Sequence, residues 1–203
     1  MCTETNTSWF PLICVVVGSL ISFLSTFIAT NLNHKHNLTI FEKKQNTEAK
    51  AITNALIAEL KALKIVFEKE FVPKICNSDR YLNYIYPLGT DYFSIFNSNA
   101  SNIGKIKNDE LRTCIINLYV TAKFFLDSIV TNNNVLNDYE QCYEEAHSIS
   151  YKNADSYILS KVRENLDIAM ERLKKSKEEN LLPTCKRMLY LFETLDKIIE
   201  ETK

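Results

Sequence analysis

The stretch LRTCIINLYVTAKFFLDSI, Leu111–Ile129, decides the fold class of this chain. Its apolar residues recur at intervals of four and three, which places them on one face of an α-helix. This face consists of Leu111, Ile115, Leu118, Ala122, Phe125 and Ile129. Asn108 precedes it, and Asp109 and Glu110 lie in its first turn, where the helix dipole favours carboxylates. Because such a face must be buried, we expect a core helix.

Three further apolar stripes have helical spacing. A long first helix carries Ile52, Leu56, Leu60, Leu63, Phe67 and Phe71 and is expected to end at Pro73. A third carries Leu159, Val162, Leu166, Ala169 and Leu173; a fourth begins at Pro183 and Thr184 and carries Cys185, Met188, Phe192, Leu195 and Ile199. Residues 135–150 are expected to be helical with a weaker pattern. The prediction is an all-α protein with roughly four helices packed as a bundle.

Composition supports long helices and excludes some functions. The chain of 203 residues has only 3 glycines and 4 prolines, so few tight turns are available. Lys plus Arg number 24 against 25 for Asp plus Glu, which lacks the basic footprint of a nucleic-acid-binding protein. The run of Asn132, Asn133 and Asn134 is attributed to a bias in base composition rather than to an amyloid-type tract.

The N-terminal stretch WFPLICVVVGSLISFLSTFIATNL, residues 9–32, carries no charge. A helix of this length rises about 36 Å, enough to span a hydrocarbon core of roughly 30 Å. No basic residue precedes it, whereas Lys35, Lys43 and Lys44 follow, so the positive-inside bias puts the C-terminal part in the cytoplasm. The same lack of a basic leader, with no A-x-A-like site, argues against a cleaved signal.

The predicted organisation therefore has four parts. Residues 1–8 form a short extracytoplasmic N-terminus, 9–32 a single-pass transmembrane helix in a cell inner membrane, 33–38 a polar linker and 39–203 a cytoplasmic helical domain. Thr39 and Glu42 form a capping box that predicts a new helix near Ile40.

Within the transmembrane stretch, small residues gather on one helix face. Gly18, Ser22, Ser25 and Ala29 are spaced by four, three and four. Two such helices can approach closely, which favours a parallel homo-oligomer. The alternative is that the hydroxyls bond to carbonyls of their own helix.

A connection of some 35 residues, 73–107, is rich in aromatic side chains: Tyr81, Tyr84, Tyr86, Tyr92, Phe93 and Phe96. A connection of this length in a compact domain is usually functional or contains short helices. The aromatic residues are a candidate interaction surface for a protein partner. The alternative is that they cap one end of the bundle as a small satellite core.

Catalytic and metal-binding chemistry finds no support in the sequence. The six cysteines never form CxxC and are expected to be small buried hydrophobes. Of the three histidines, His34 and His36 lack ligand partners nearby, and Glu144-x-x-His147 has no second copy to complete a di-iron site. We assign no catalytic, cofactor-binding or metal residue and no small-molecule substrate, and expect a protein that is not an enzyme. Glu59 is expected on a solvated helix face.

The run DYFSIFNSNASNIGKIKNDELRTCIINLYVTAKFFLDSI, residues 91–129, resembles a segment of small bacterial single-pass inner-membrane proteins with a cytoplasmic helical domain, most without an assigned function. The matching positions are Tyr92, Phe93, Asn99, Gly104 and Tyr119. Gly104 is expected to end a helix in the left-handed conformation before Asn108. Some proteins of this kind occur in mobile genetic islands and resemble phage-defence membrane proteins, which is an analogy at the level of layout.

Two function hypotheses follow. The first is a non-enzymatic, membrane-anchored interaction protein that acts through the lipid bilayer and through a second copy or another protein. The second is a membrane-perturbing effector of a phage-defence or toxin-like system, in which Ser19, Ser22, Ser25, Thr26 and Thr30 line a pore of several copies. A span without a charged residue is a poor pore lining, which disfavours the second hypothesis.

Overall fold

The computed structural model describes residues 10–77, 81–89, 92–150 and 156–202. Most of these residues are helical and none of them forms a strand, so the all-α prediction is confirmed. The α-helices are α1 (Phe10–Val66), α2 (Val72–Ile75), α3 (Ser94–Asn99), α4 (Asp109–Ser150), α5 (Ser156–Lys175) and α6 (Leu182–Glu201). Two π-helical turns, Phe67–Phe71 and Ser176–Leu181, and a 3₁₀ turn, Ala100–Lys105, complete the elements.

The chain divides into two units, Met1–Glu48 and Ala49–Lys203, with the boundary inside α1. The predicted helix start near Ile40 is wrong, because α1 runs without a break through residues 33–38. The Thr39 hydroxyl donates to the Lys35 carbonyl at 3.0 Å, as in a helix interior, instead of capping a new helix. Residues 33–38 are polar but contain neither glycine nor proline, so nothing in them stops a helix.

The second unit has one hydrophobic core, to which α1, α4 and α6 contribute. The predicted face of α4 is confirmed, since all six of its residues are buried. The N-terminus of α4 also forms as predicted, because the Asn108 side chain accepts a hydrogen bond from the Leu111 N–H at 3.0 Å. Leu56 and Leu60 of α1 and Phe67 of the π-helical turn that follows it enter the same core. Each large side chain buried in this way stabilises the fold by about 1.5–3 kcal/mol.

Each π-helical turn ends two residues before a proline. Pro73 and Pro183 occupy the first turn of α2 and of α6. A proline lacks an N–H and its ring conflicts with the carbonyl four residues back, and the wider π turn accommodates both effects while the helix continues. The backbone at Lys175 and Leu182, on either side of the second turn, is right-handed helical.

The predicted third and fourth helices are therefore successive parts of one helical run, α5 and α6, and both pack against α4. Four separate bundle helices are not confirmed. The long first helix instead reaches Ile75 through a π turn and α2, slightly beyond its predicted end at Pro73. Helical structure over 135–150 forms the second half of α4.

Candidate interaction surfaces

The apolar side chains at the start of α1 are exposed in the described part of the chain. Its large apolar side chains from Ile13 to Leu32 are each 47–71% exposed. Two helical stretches, Ile13–Ile75 and Asp109–Ser148, are long and apolar enough to cross a membrane by length and composition. In the second of these, within α4, the apolar residues of one face fill the core.

The small residues of the first stretch are open to contact, but their hydroxyls already have partners. Ser22 Oγ donates to the Gly18 carbonyl at 2.9 Å, and Ser25 Oγ donates to the Ile21 carbonyl at 2.8 Å. Nothing lies within 4 Å of the position that a Cβ on Gly18 would take. These hydrogen bonds agree with the alternative that the hydroxyls bond to carbonyls of their own helix. They leave the surface at Gly18 and Ala29 free for a second helix.

Three of the six rings of the aromatic connection, those of Tyr86, Phe93 and Phe96, lie against the core. Tyr86 packs on Phe71 with centroids 4.8 Å apart, and Phe96 stacks on Tyr119 at 4.0 Å. Phe93 meets the edge of Tyr119 at 5.4 Å. Tyr81 lies 6.0 Å from Tyr139 of α4. These contacts are those of the satellite-core alternative.

Tyr84 and Tyr92 are the exposed members of the aromatic set. Tyr84 is 54% exposed and packs against the edge of Tyr86, beneath the Lys74 ammonium. Tyr92 is 36% exposed, and its hydroxyl accepts a hydrogen bond from the Gly89 N–H at 2.8 Å. A surface built from the connection alone therefore offers two separate tyrosines.

Two asparagines hold the connection to α4. The Asn133 side chain accepts from the Tyr86 N–H at 3.2 Å and donates to the Tyr86 carbonyl at 2.9 Å, as a neighbouring strand would. Buried Asn132 donates to the Leu82 carbonyl at 3.2 Å and accepts from the Ser176 hydroxyl at 3.4 Å. Extended backbone needs hydrogen-bond partners when it packs on a helix, and these two asparagines supply them.

Glu59 of α1 caps α3 from a distance. Its carboxylate accepts hydrogen bonds from the backbone N–H groups of Ile95 and Phe96 at 3.0 and 3.1 Å, in the first turn of α3. It also accepts one from the Tyr119 hydroxyl at 2.6 Å. The expected solvated position of Glu59 is thus wrong. Burial, and then the neighbouring carboxylate, raise the pKa of Tyr119 well above its ordinary value, so the phenol stays a donor.

The backbone bends sharply at Phe93, just before α3. Its φ of 67° is left-handed and costs conformational energy for a side chain with a Cβ. The Phe93 ring contact with Tyr119 holds this conformation in place. The left-handed stop expected at Gly104 is wrong, since Gly104 lies within the 3₁₀ turn and no described glycine has a positive φ.

A second apolar stripe lies on the outward face of α4, and we call it the outer face. Ile116, Val120 and Phe124 recur every four residues and are 37%, 47% and 63% exposed; Val130 is 45% exposed. Sequence reasoning missed it because the core face accounted for the helix. The signal was available, since Ile116, Val120 and Phe124 fall between the residues of the core face in LRTCIINLYVTAKFFLDSI, and Val130 follows directly after it.

Two opposite charges lie beside this stripe. Lys123 and Asp127 are exposed and four residues apart. In the described part of the chain neither side chain has an ion-pair partner. Their charges are therefore available to another molecule.

Two of the described cysteines, Cys114 and Cys185, are buried. Burial raises the pKa of Cys114, and burial together with the Cys76 thiol raises the pKa of Cys185, so neither forms a ready thiolate. Among the described residues, no group of three or more His, Cys, Asp or Glu is placed to hold a metal ion.

Comparison with known proteins gives no further guide. No family model, no curated protein and no solved structure matches the chain.

Proposed function

We propose that the chain is a non-enzymatic, membrane-anchored helical protein that acts by self-association. The observation that carries the anchor is the run of large, exposed apolar side chains from Ile13 to Leu32, with no element of its own unit to cover them. A soluble protein rarely exposes so continuous an apolar surface. A lipid bilayer would cover it along the whole length of the stretch.

The proposed location is a bacterial inner membrane, crossed once, with the N-terminus outside. Lys35, Lys43 and Lys44 follow the apolar stretch and support this orientation. Protease treatment of sealed, right-side-out spheroplasts should leave the C-terminal domain intact. Its digestion without lysis would refute the orientation, and recovery of the chain in the soluble fraction would refute the anchor.

The outer face of α4 is the proposed contact between two copies. Its apolar side chains are exposed, whereas those of the opposite face fill the core, so the same helix has one face occupied and one free. A patch with an apolar centre beside polar groups is typical of a contact surface.

The charges specify how two copies would pair. If two α4 helices lie antiparallel with residue 125 at the twofold axis, Lys123 of each copy faces Asp127 of the other, because 123 and 127 are equidistant from 125. In the same register Val120 faces Val130 of the second copy. A contact of this kind is self-complementary, as a twofold interface requires.

A charge swap tests the register. In the full chain in detergent, Lys123→Glu or Asp127→Lys alone should convert dimers to monomers, measured by light scattering after size-exclusion chromatography. The double variant Lys123→Glu/Asp127→Lys should restore the dimer. The matched control is Lys175→Glu, in an exposed pair of the same spacing with Glu179 at 3.7 Å, which should leave the dimer unchanged.

Two results would contradict the proposal: a monomeric wild-type chain, or single variants that dimerise like the wild type. The small-residue face of the anchor is a separate contact, tested by Gly18→Ile with crosslinking in membranes. If only that variant lowers the oligomer, the anchor and not α4 joins the copies.

The competing hypothesis of a membrane-perturbing effector has less support. The hydroxyls expected to line a pore already donate to carbonyls of α1 itself; they belong to Ser19, Ser22, Ser25, Thr26 and Thr30. Membrane depolarisation by the full chain, absent when residues 1–32 are removed, would favour that hypothesis instead.

A further inference from the structure

The second half of α4 carries a row of aromatic rings, which we call the aromatic ladder: Tyr139, Tyr143 and His147. These residues recur every four positions, so their rings share one face of the helix. The ring centroids are 6.3 Å apart between Tyr139 and Tyr143, and 6.1 Å apart between Tyr143 and His147. Tyr81 of the aromatic connection lies at one end, 6.0 Å from Tyr139. The other end is open, since Tyr143 is 52% exposed and His147 is exposed as well.

Two carboxylates run beside the aromatic ladder. Glu140 and Glu144 are exposed and four residues apart, and each directly follows a tyrosine of the ladder. Over the residues that the structure describes, neither forms an ion pair. No lysine or arginine follows Lys123 in α4, so this half of the helix has no cation of its own for them. The face is therefore both aromatic and negatively charged.

The neighbouring helix α5 packs against another side of α4. Asp138, Cys142 and Glu145 of α4 line a groove together with Arg172 of α5. The groove offers Asp138 and Glu145 a cation within the protein. Neither the aromatic ladder nor the two glutamates beside it line this groove. The negative charge of Glu140 and Glu144 is thus left for another molecule to balance.

The guanidinium group of arginine suits this face. It is planar, stacks on aromatic rings and donates two parallel hydrogen bonds to a carboxylate, whereas the ammonium of lysine is a compact charge without a plane. The ring spacing of 6.1–6.3 Å is close to the rise of about 6 Å over four residues of a helix. A helix beside α4 with arginines four residues apart would present its guanidinium groups at the spacing of the rings.

A second copy of this chain does not carry that pattern. Among its 24 lysines and arginines, no two are four residues apart. The outer face of α4, proposed above as the contact between copies, also uses other side chains. Its last member, Val130, lies nine residues before Tyr139, about 13 Å along the helix. The matching occupant is therefore a different protein.

We propose that the aromatic ladder, together with Glu140 and Glu144, is a docking site for a helical segment of another protein that carries arginines four residues apart. The rings stack on the guanidinium planes, and the carboxylates accept hydrogen bonds from them. The site goes beyond self-association, since it depends on neither the anchor nor the outer face of α4.

Three fluorescently labelled, alanine-rich helical peptides test the site. The first has two arginines four residues apart. The second has citrulline in their place, which keeps the shape and removes the charge. The third has the composition of the first, with the two arginines two residues apart and so on different faces of its helix. Fluorescence anisotropy with the full chain in an uncharged detergent measures each Kd.

The first peptide should bind most tightly. Two stacked cations and two ion pairs at an exposed site give a Kd about tenfold lower than that of the citrulline peptide. The third peptide can place only one arginine on the face, so its Kd should lie between the other two. Because the first and third peptides have the same charge, their difference excludes attraction by net charge alone.

A pair of double variants locates the binding. Glu140→Gln/Tyr143→Leu removes one carboxylate and one ring, three residues apart, and should raise the Kd of the first peptide severalfold, towards that of the citrulline peptide. Tyr190→Leu/Glu193→Gln is the matched control, since it changes an exposed tyrosine and an exposed glutamate of the same spacing on α6, and it should keep the wild-type Kd. All four side chains lie outside the core.

The proposal is overturned if the first peptide binds no more tightly than the citrulline peptide, or if the third peptide binds as tightly as the first. It is also overturned if Glu140→Gln/Tyr143→Leu keeps the wild-type Kd, or if the control variant on α6 weakens binding to the same extent.

Discussion

Removal of the Glu59 carboxylate should destabilise the second unit more than any other single carboxylate described above. Glu59 accepts three hydrogen bonds of 2.6–3.1 Å, from the Tyr119 hydroxyl and from two N–H groups of α3. These hydrogen bonds join three elements, because Glu59 lies on α1, Tyr119 on α4 and the two N–H groups on α3. The other carboxylates pair with single lysines or arginines near the surface.

The magnitude follows from the three donors. In Glu59→Ala, the buried Tyr119 hydroxyl loses its short hydrogen bond, at a cost of about 1–3 kcal/mol. Loss of the cap on α3 costs about 1 kcal/mol more. We therefore expect a decrease of about 3 kcal/mol in the free energy of unfolding. Water reaches the half-buried side chain at position 59. We therefore expect Glu59→Gln to lower the free energy of unfolding by about half as much as Glu59→Ala.

A double-mutant cycle isolates the contact with the phenol. Tyr119→Phe alone should cost about 1 kcal/mol, and the Glu59→Ala/Tyr119→Phe double variant should cost about 1 kcal/mol less than the sum of the single variants. Urea unfolding of the full chain in detergent, followed by circular dichroism, measures each value. Glu68→Ala is the control: Glu68 pairs with Lys64 at 3.6 Å and is 48% exposed, so it should change stability by less than about 0.5 kcal/mol.

The reasoning fails if Glu59→Ala is as stable as Glu68→Ala, or if the effects of Glu59→Ala and Tyr119→Phe add without coupling. Either result would mean that water replaces the three hydrogen bonds at no net cost.

Further predictions concern the connection, alkaline pH and the bend before α3. Asn133→Ala should speed amide exchange of the connection about tenfold, whereas exposed Asn134→Ala should not; equal rates would contradict the two-point hydrogen bond. The pKa values of Cys185 and Tyr119 are raised, so at alkaline pH the folded state keeps two protons that the unfolded state loses. The free energy of unfolding should therefore fall above pH 9 because of Cys185 and further above pH 10 because of Tyr119. Each group contributes a fall of about 1.4 kcal/mol per pH unit. Urea unfolding should show a shallower fall above pH 10 for Tyr119→Phe. Phe93→Gly should be about 1 kcal/mol more stable than Phe93→Ala, because only glycine adopts φ 67° without strain; the reverse order would contradict the bend.

Periodicity alone was sufficient for the helices of the core. The spacing from Leu111 to Ile129 predicted both the helix and its buried side, because one helix face maps directly onto intervals of four and three. The interpretation of Pro183 as the start of a separate fourth helix was less successful. A π-helical turn before it lets the helical run continue from α5 into α6. The polar residues 33–38 were predicted to be a linker, but none of their residue types prevents a helix, and α1 continues through them.

The contacts that organise the connection could not be predicted from spacing. Glu59 and Asn133 bind backbone groups 36 to 47 residues away along the chain, and no local pattern encodes such a partner. Their sequence surroundings are those of ordinary surface helices. Only the folded chain brings an unpaired N–H to a carboxylate or an amide, so such residues are found by asking where each backbone group obtains its hydrogen bond.

The two helical stretches that are apolar enough to cross a membrane differ in what a crossing would cost. To enter a bilayer, α4 would withdraw Leu111, Ile115, Leu118, Phe125 and Ile129 from the core. The other side chains of this core, among them Leu56, Leu60, Phe192 and Leu195, would then be exposed to water. At about 1.5–3 kcal/mol for each side chain, the loss is about 10 kcal/mol, comparable with the whole stability of a domain. The stretch from Ile13 to Leu32 has no core to leave, since its side chains are exposed. This difference supports the proposal that α1, rather than α4, enters the bilayer and that the outer face of α4 contacts protein.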